Sequence, residues 1–182
     1  MEHNTANSDE QRLITGCKNG ETWAQKQVYE LYASAMFSLC MCYVNDREAA
    51  RDVLQDGFIK IFTKIEDYKG IGSFAGWIRR VFVTTALELL RQNKRRFIPI
   101  DNLNLQVEDD NISVIEKISA DDLMNCVCSL PSGYRTVFNL YALEGYSHAE
   151  IAKLLEISEN TSRSQFMRAR NLLQQKIKEI SL

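Results

Sequence analysis

Only two prolines, Pro99 and Pro131, interrupt 182 residues, and the long stretches between them carry apolar side chains at helical rather than alternating spacing. The chain therefore reads as all-α. Between Arg47 and Ile65, the side chains Val53, Leu54, Phe58, Ile61, Phe62 and Ile65 form one apolar stripe, while Asp52, Gln55 and Asp56 sit together on the opposite side. Between Phe74 and Arg96 a second stripe runs through Trp77, Ile78, Val81, Phe82, Thr85 and Leu89, and Arg80, Thr84, Arg91 and Arg95 occupy the other face. Upstream, Trp23 to Tyr43 supplies another apolar helix or pair of helices through Val28, Leu31, Tyr32, Met36, Leu39 and Cys40.

These segments are expected to form one small helical domain over residues 8–97. Residues 98–118 hold a proline, asparagines, acids and scattered aliphatics without a sustained period, which reads as a linker. A second helical domain is expected over residues 119–182. Within it Leu130-Pro131-Ser132 precedes a helical run from Tyr134 to Leu143 that Gly145 can end. Ser147-His148-Ala149-Glu150 has capping-box spacing, so a short helix Ser147 to Leu155 follows, then a turn through Glu156, Ile157 and Ser158, then a long helix from Glu159 to about Ile180. A short helix, a tight turn and a long basic helix make the helix-turn-helix pattern.

On the last helix Ser162, Phe166, Ala169, Leu173 and Ile177 share one side and would pack on the core, leaving Asn160, Arg163, Ser164, Met167 and Arg168 as an outward stripe at the helix N-terminus. In a helix-turn-helix that half of the second helix enters the major groove, where arginine pairs with guanine and serine or methionine meets other base edges. A merely solvated basic face is the alternative. The Phe74 to Arg96 stretch poses the same choice, between core aromatics and aromatics that stack on bases beside a phosphate-attracting arginine face. Just before it, Tyr68-Lys69-Gly70-Ile71-Gly72-Ser73 is either a plain interhelical turn or a loop able to approach a nucleotide closely.

The net charge of −2 conceals a segregation by segment. Arg79, Arg80, Arg91, Lys94, Arg95 and Arg96 crowd one stretch, and Arg163, Arg168, Arg170, Lys176 and Lys178 crowd the C-terminus. Between them lie Asp101, Glu108, Asp109, Asp110, Asp121 and Asp122. Two basic faces separated by an acidic linker suit a protein that touches a polyanion twice.

Other classes fit poorly. Cys17, Cys40, Cys42, Cys126 and Cys128 match neither a disulfide framework nor zinc-site spacing, and read as reduced thiols packed as small hydrophobes; His3 and His148 are the only histidines. No metal or cofactor is expected, and no nucleophile-elbow, phosphate-loop or metal-ligand motif points to an enzyme. No stretch approaches the roughly 20 apolar residues of a membrane span, and the polar start Met1 to Asn7 lacks the apolar segment of a signal peptide, so a cytoplasmic protein without membrane insertion is expected.

Several motifs together carry a family resemblance. Asp52-Val53-Leu54-Gln55-Asp56-Gly57-Phe58-Ile59-Lys60-Ile61-Phe62 resembles D-L-V-Q-E-x-F-x-x-x-W/F of the sigma-70 family, in its compact extracytoplasmic-function group. Phe74-Ala75-Gly76-Trp77-Ile78-Arg79-Arg80 with Leu90-Arg91 is similar to that group's F-x-x-W-L-x-x-I and L-R pattern. Leu130-Pro131, Glu144 to Ala152, Thr161-Ser162-Arg163-Ser164 and Arg168-Ala169-Arg170 resemble its L-P, E-G-x-S-x-x-E-I-A, T-V-K-S-R and R-A-R pieces, in order along nearly the whole chain.

The resemblance implies a transcription initiation factor for RNA polymerase with no catalytic residues. Its first domain would be sigma region 2, with Asp52, Gln55 and Asp56 docking on the clamp helices of the polymerase's largest subunit. The loop Tyr68 to Ser73, with Lys69 inside it, would hold a base flipped from the melted −10 element, beside Arg80, Thr84, Arg91 and Arg95. Its second domain would be sigma region 4, associated with the flap of the second-largest subunit and reading the −35 duplex through Asn160, Arg163, Ser164, Met167 and Arg168. The linker would run toward the active-site cleft and the RNA exit path, mimicking nucleic acid by charge. Promoter DNA, core RNA polymerase and an anti-sigma factor are the partners implied. Three positions depart from the pattern: Thr84 replaces an asparagine, Glu88 an aspartate and Gln165 an arginine, and Gln165 is expected still to reach a phosphate or an adenine edge. The alternative is a stand-alone helix-turn-helix regulator with an N-terminal sensor or dimerisation domain, which would not need the Asp52, Gln55, Asp56 face.

Overall fold

Period and capping together set the bounds of the helices Arg47–Thr63, Ala120–Cys128 and His148–Leu155. A computed structural model of the chain describes residues 3–92 and 119–180. The expected linker, 98–118, and Arg95 lie outside the described residues. Every regular element among the described residues is helical, and the chain divides into two units, residues 1–89 and 90–182.

The first unit contains α1 (His3–Lys18), α2 (Thr22–Val44), α3 (Arg47–Thr63), a 3₁₀ turn (Ile65–Asp67) and most of α4 (Phe74–Gln92). Trp23 to Tyr43 is thus one helix rather than two. Helix α1 was not anticipated; its sequence is largely polar, and among its described residues Ile14, Gly16 and Cys17 are buried. A Cβ at Gly16 would lie 2.6 Å from the Ala24 Cβ, so the close approach of α1 to α2 requires glycine there. Between α2 and α3, Asn45 takes the left-handed conformation that ends α2, and the Asp46 carboxylate accepts from Ala49 N to begin α3.

Helix α3 buries Val53, Phe58 and Ile61 and rests on α4 where Gly57 lies beneath the Phe82 ring. Phe82 is fully buried and meets Phe58 edge-on with centroids 5.2 Å apart. Each such ring contributes about 1.5–3 kcal/mol by leaving water, and the edge-on pairing adds about 0.5–1.5 kcal/mol. Lys60 of α3 pairs with Glu88 of α4 and also donates to Thr85 Oγ1 at 3.2 Å, so Glu88 serves to fasten the two helices together.

The second unit contains α5 (Ala120–Cys128), α6 (Ser132–Phe138), a π-helical turn (Asn139–Leu143), α7 (His148–Leu155) and α8 (Glu159–Ile180). Ser119 caps α5 by accepting from Asp122 N at 3.1 Å. Pro131 occupies the cap position of α6, with Ser132 the first helical residue. The run to Leu143 widens into a π turn in which Glu144 N donates to Asn139 O, and Gly145 at φ +75° reverses the chain. The capping box of α7 is complete: Glu150 N donates to Ser147 Oγ, and Ser147 N donates to Glu150 Oε2 at 2.8 Å. Glu156 in the left-handed conformation ends α7, and Ser158 Oγ accepts from Thr161 N at 2.9 Å at the start of α8. Cys126, Val127, Leu130, Tyr134, Ala169 and Leu173 form the core, flanked by Phe138 and Leu172.

Candidate nucleic-acid and polymerase interfaces

The period of α3 that buries Val53, Phe58 and Ile61 turns Asp52, Gln55 and Asp56 to solvent, and all three are exposed. Beside them lies a cavity of about 480 Å³ whose lining includes Tyr29, Gln55, Phe58 and Ile59. Tyr29 and Ile59 are exposed around it, a feature the periodicity did not flag because Ile59 falls off the stripe and Tyr29 belongs to a different helix.

In the loop before α4 the order comes from inside. Tyr68 is buried, its hydroxyl donates to Gly72 O at 2.9 Å, and its ring packs against Phe74 and Trp77 at 5.2 and 5.6 Å between centroids. Lys18 of α1 donates to Tyr68 O at 3.2 Å, and Lys69 donates to Glu66 O at 2.9 Å. Gly70 and Gly72 both take positive φ, which an L side chain rarely adopts, and Ile71 between them is 89% exposed. Ser73 Oγ accepts from Gly76 N at 3.1 Å, capping α4. Tyr68 therefore shapes the loop as a core residue rather than presenting its ring, and Ile71 is the outward residue that sequence reasoning passed over.

On α4, Arg80 is exposed while Thr84 and Arg91 are half-buried. The Thr84 hydroxyl donates within its own helix, to Val81 O at 2.8 Å and Arg80 O at 3.0 Å, as a threonine facing the preceding turn does. Of the two aromatics left between core and base stacking, Phe82 is wholly core; Trp77 is half-buried, stacked on Phe74 at 5.9 Å.

On α8, Asn160, Arg163, Ser164 and Met167 are exposed, and Arg168 is half-buried with Nη1 3.5 Å from the Tyr134 hydroxyl. Arg163 pairs with Glu159 one turn back, and Ser164 Oγ donates to Thr161 O at 3.0 Å. Gln165 corrects the expectation: it is buried with its amide facing Gly133, about 3.6 Å from where a Cβ would stand. At that depth it reaches neither phosphate nor base. Its spacing places it with Ser162 and Ala169 on the buried face, and the family comparison of a single position obscured this.

Cys17, Cys40, Cys42 and Cys126 are buried core thiols and Cys128 is half-buried; Cys40 is pushed up to about 12 by burial, far from the range of a reactive thiolate. Among the described residues no group of three His, Cys, Asp or Glu is placed to hold a metal ion.

Two family models match the chain in order: Sigma-70 region 2 over residues 28–96 and Sigma-70, region 4 over residues 120–173. The chain belongs to the extracytoplasmic-function group of the sigma-70 family. It is an RNA polymerase sigma factor for promoter-specific transcription initiation.

This sigma factor is 28% identical to the ECF RNA polymerase sigma-E factor of Haemophilus influenzae over 94% of its own length and 96% of the relative's. It is 27% identical to the ECF RNA polymerase sigma-E factor of Escherichia coli K12, covering 94% and 95% of the two chains. In structure it resembles the sigma factor RpoE of Bartonella quintana, solved in complex with the anti-sigma factor NepR, with a TM-score of 0.50 and 20% identity over 84% of this chain and 96% of the other. The region 2 match spans α3, the loop and α4, and the region 4 match covers α7 and α8 as far as residue 173. No helix among the described residues is long and apolar enough to cross a membrane.

Proposed function

We propose that this sigma factor acts in the cytoplasm, without a catalytic step of its own, through three surfaces. Asp52, Gln55 and Asp56 on α3 dock on the clamp helices of the largest polymerase subunit. The loop Tyr68 to Ser73 and the arginine face of α4 (Arg80, Arg91 and, beyond the described residues, Arg95) receive the melted −10 element. Lys69, Ser73 and Thr84 support that surface from within the loop and the helix, since each spends its polar group on backbone. The N-terminal half of α8, with Asn160, Arg163, Ser164, Met167 and Arg168, reads the −35 duplex, and region 4 meets the flap of the second-largest subunit. Residues 8–97 and 119–182 act as the two functional domains, joined by 98–118.

The observation that carries this reading is the outward stripe Asn160, Arg163, Ser164 and Met167 at the N-terminus of a helix that follows a capped α7 and a left-handed turn. That is the geometry with which a helix-turn-helix addresses base edges. A region 2 match ahead of it favours a polymerase-bound factor over a stand-alone regulator. An anti-sigma factor is a further expected partner, supported by the Bartonella relative, which was solved with one.

Co-purification with core polymerase, followed by transcription from a panel of promoters, tests all three surfaces. The double variant Asp52→Lys with Asp56→Lys is expected to lose polymerase association and stay folded, since both side chains are exposed. Arg163→Ala is expected to cost about 1–3 kcal/mol on the preferred upstream element and to relax preference at one base. Lys176→Ala should weaken all sequences alike and reduce the salt slope by about 1. Normal polymerase binding by the charge-reversed variant would remove the docking assignment, and a uniform loss on every sequence in Arg163→Ala would remove the base-reading one.

A further inference from the structure

His148, the first residue of α7, is a half-buried titratable side chain that touches both the π turn and α8. Its Nδ1 lies 2.9 Å from the Oγ of Ser162, a residue of α8 with no solvent exposure. Its ring stacks on Tyr141 of the π turn, with centroids 4.3 Å apart and planes 12° from parallel, and meets Phe166 of α8 edge-on at 5.8 Å. Ser162 is flanked directly by Arg163 and, one position on, by Ser164, the two side chains proposed to read the duplex. Whatever sets the seat of Ser162 therefore sets the depth and rotation at which those two are offered.

The polarity of this contact turns on the tautomer of the ring. Ser162 Oγ–H is buried, and we assign His148 Nδ1, which can accept or donate according to the ring's tautomer, as its acceptor. A hydrogen bond from Ser162 to Nδ1 requires that Nδ1 carry no proton, hence a neutral ring protonated at Nε2. If Nδ1 takes a proton it becomes a donor, and the serine hydroxyl must give up Nδ1 and turn its hydrogen back toward the preceding turn of α8, so the contact is rearranged.

The charges around the ring are few. From α8 it faces Arg163, which disfavours a second proton, and Glu159, which favours one. From the π turn it faces the phenol ring of Tyr141. On its own helix the Glu150 carboxylate is held by Ser147 N at 2.8 Å and Ser147 Oγ at 2.7 Å. The position at the positive end of α7 also disfavours an imidazolium. The balance, led by loss of hydration, holds His148 below its ordinary 6.5.

We propose that His148 is a positioning residue for the recognition helix, fixing α8 in its reading geometry through Ser162 only while the ring is neutral. The inference rests on the reading of α8 as the helix that enters the duplex. A folded-state value below that of the unfolded chain means the native state resists the proton. Stability of this seam is therefore complete above 6.5 and declines as pH falls from there toward the folded value.

The test uses the reconstituted holoenzyme and reads the ratio of binding to a promoter with the preferred upstream element over one with that element scrambled. The ratio cancels effects of pH on polymerase common to both templates. Between about pH 7.5 and about pH 5.5 the wild-type ratio should fall by about three- to tenfold, the equilibrium equivalent of one hydrogen bond. His148→Asn puts an amide oxygen near the place of Nδ1 and cannot titrate, so its ratio should stay level across the range. Ser162→Ala should lower the ratio at neutral pH and make it insensitive to acid.

A measurement on the unmodified chain is independent of variant folding. His3 and His148 are the only two histidines, so imidazole NMR resolves them. His148 should show the Nε2–H tautomer and a midpoint below 6.5. A Nδ1–H tautomer, or a wild-type ratio that does not change with pH, would overturn the proposal. Arg163→Ala separates this from the underlying reading: if it leaves upstream preference intact, α8 is not the reading helix, whereas if preference is lost the reading stands whatever His148 does.

Discussion

The two units reach order by different means. Among the described buried residues, polar or charged side chains number one in the first unit, Thr85, against Arg135, Thr136, Asn139, Ser162 and Gln165 in the second. The first instead concentrates rings: Phe58, Phe62 and Phe82 on one side, and Tyr32, Tyr68, Phe74 and Trp77 on another. Apolar packing is strong and non-directional, so it makes a rigid block from which exposed groups such as Asp52 and Arg80 project. Buried hydrogen bonds are weaker on balance and directional, so they fix angles and registers that packing alone leaves open. A unit that must hold the short helix α7 at a set angle to α8 gains from the second kind.

The largest expected effect breaks the first unit's mode of order. Phe82→Ala should cost about 3–5 kcal/mol, because the ring fills the space over Gly57 and nothing can collapse into it. Trp23 and Trp77 both lie in the first unit, so denaturation followed by tryptophan fluorescence reads this loss directly. A loss below about 1 kcal/mol would mean that the aromatic block is less essential than its packing implies.

Arg135→Met tests the second unit's mode at nearly constant volume. Arg135 Nη1 donates to Cys128 O at 2.9 Å and Leu130 O at 2.8 Å, closing the turn between α5 and α6. Without it two carbonyls lose a donor, and about 2–3 kcal/mol should go. The loss should appear in the His148 resonance and leave the tryptophan transition unmoved. A shift of both by the same amount would show the two units unfolding as one and sharpen the comparison into a cooperative one.

The smallest effect concerns local order. Ser147→Ala removes one half of the capping box and should cost about 1 kcal/mol, again in the His148 signal and not in tryptophan fluorescence. An unchanged melting profile would mean that contacts of α7 with α8 suffice without the cap.

Much of this was legible from residue order because it is set by interactions a few positions apart. The stripes of α3 and α4, the capping box of α7 and the start of α8 at Glu159 depend on side chains meeting their own turn or the next. The outward face Asp52, Gln55, Asp56 and the stripe Asn160, Arg163, Ser164, Met167 follow from the same periods. What failed depended on a distant partner. Helix α1 is too polar to announce itself and is recognised by Gly16 seated on Ala24. The π turn at Asn139–Leu143, closed by Glu144 N donating to Asn139 O, is a widening that no helical period records.

The sequence by itself therefore determined the all-α class, the order of region 2 and region 4 features and the faces each main helix offers, since period and capping are local physics. Only the tertiary structure decided which polar groups those faces surrender. Tyr68 turned inward to hold Gly72, Gln165 sank beside Gly133, and His148 met Ser162 across 14 positions, because burial is settled by what the opposite helix brings and not by the residue's own neighbours.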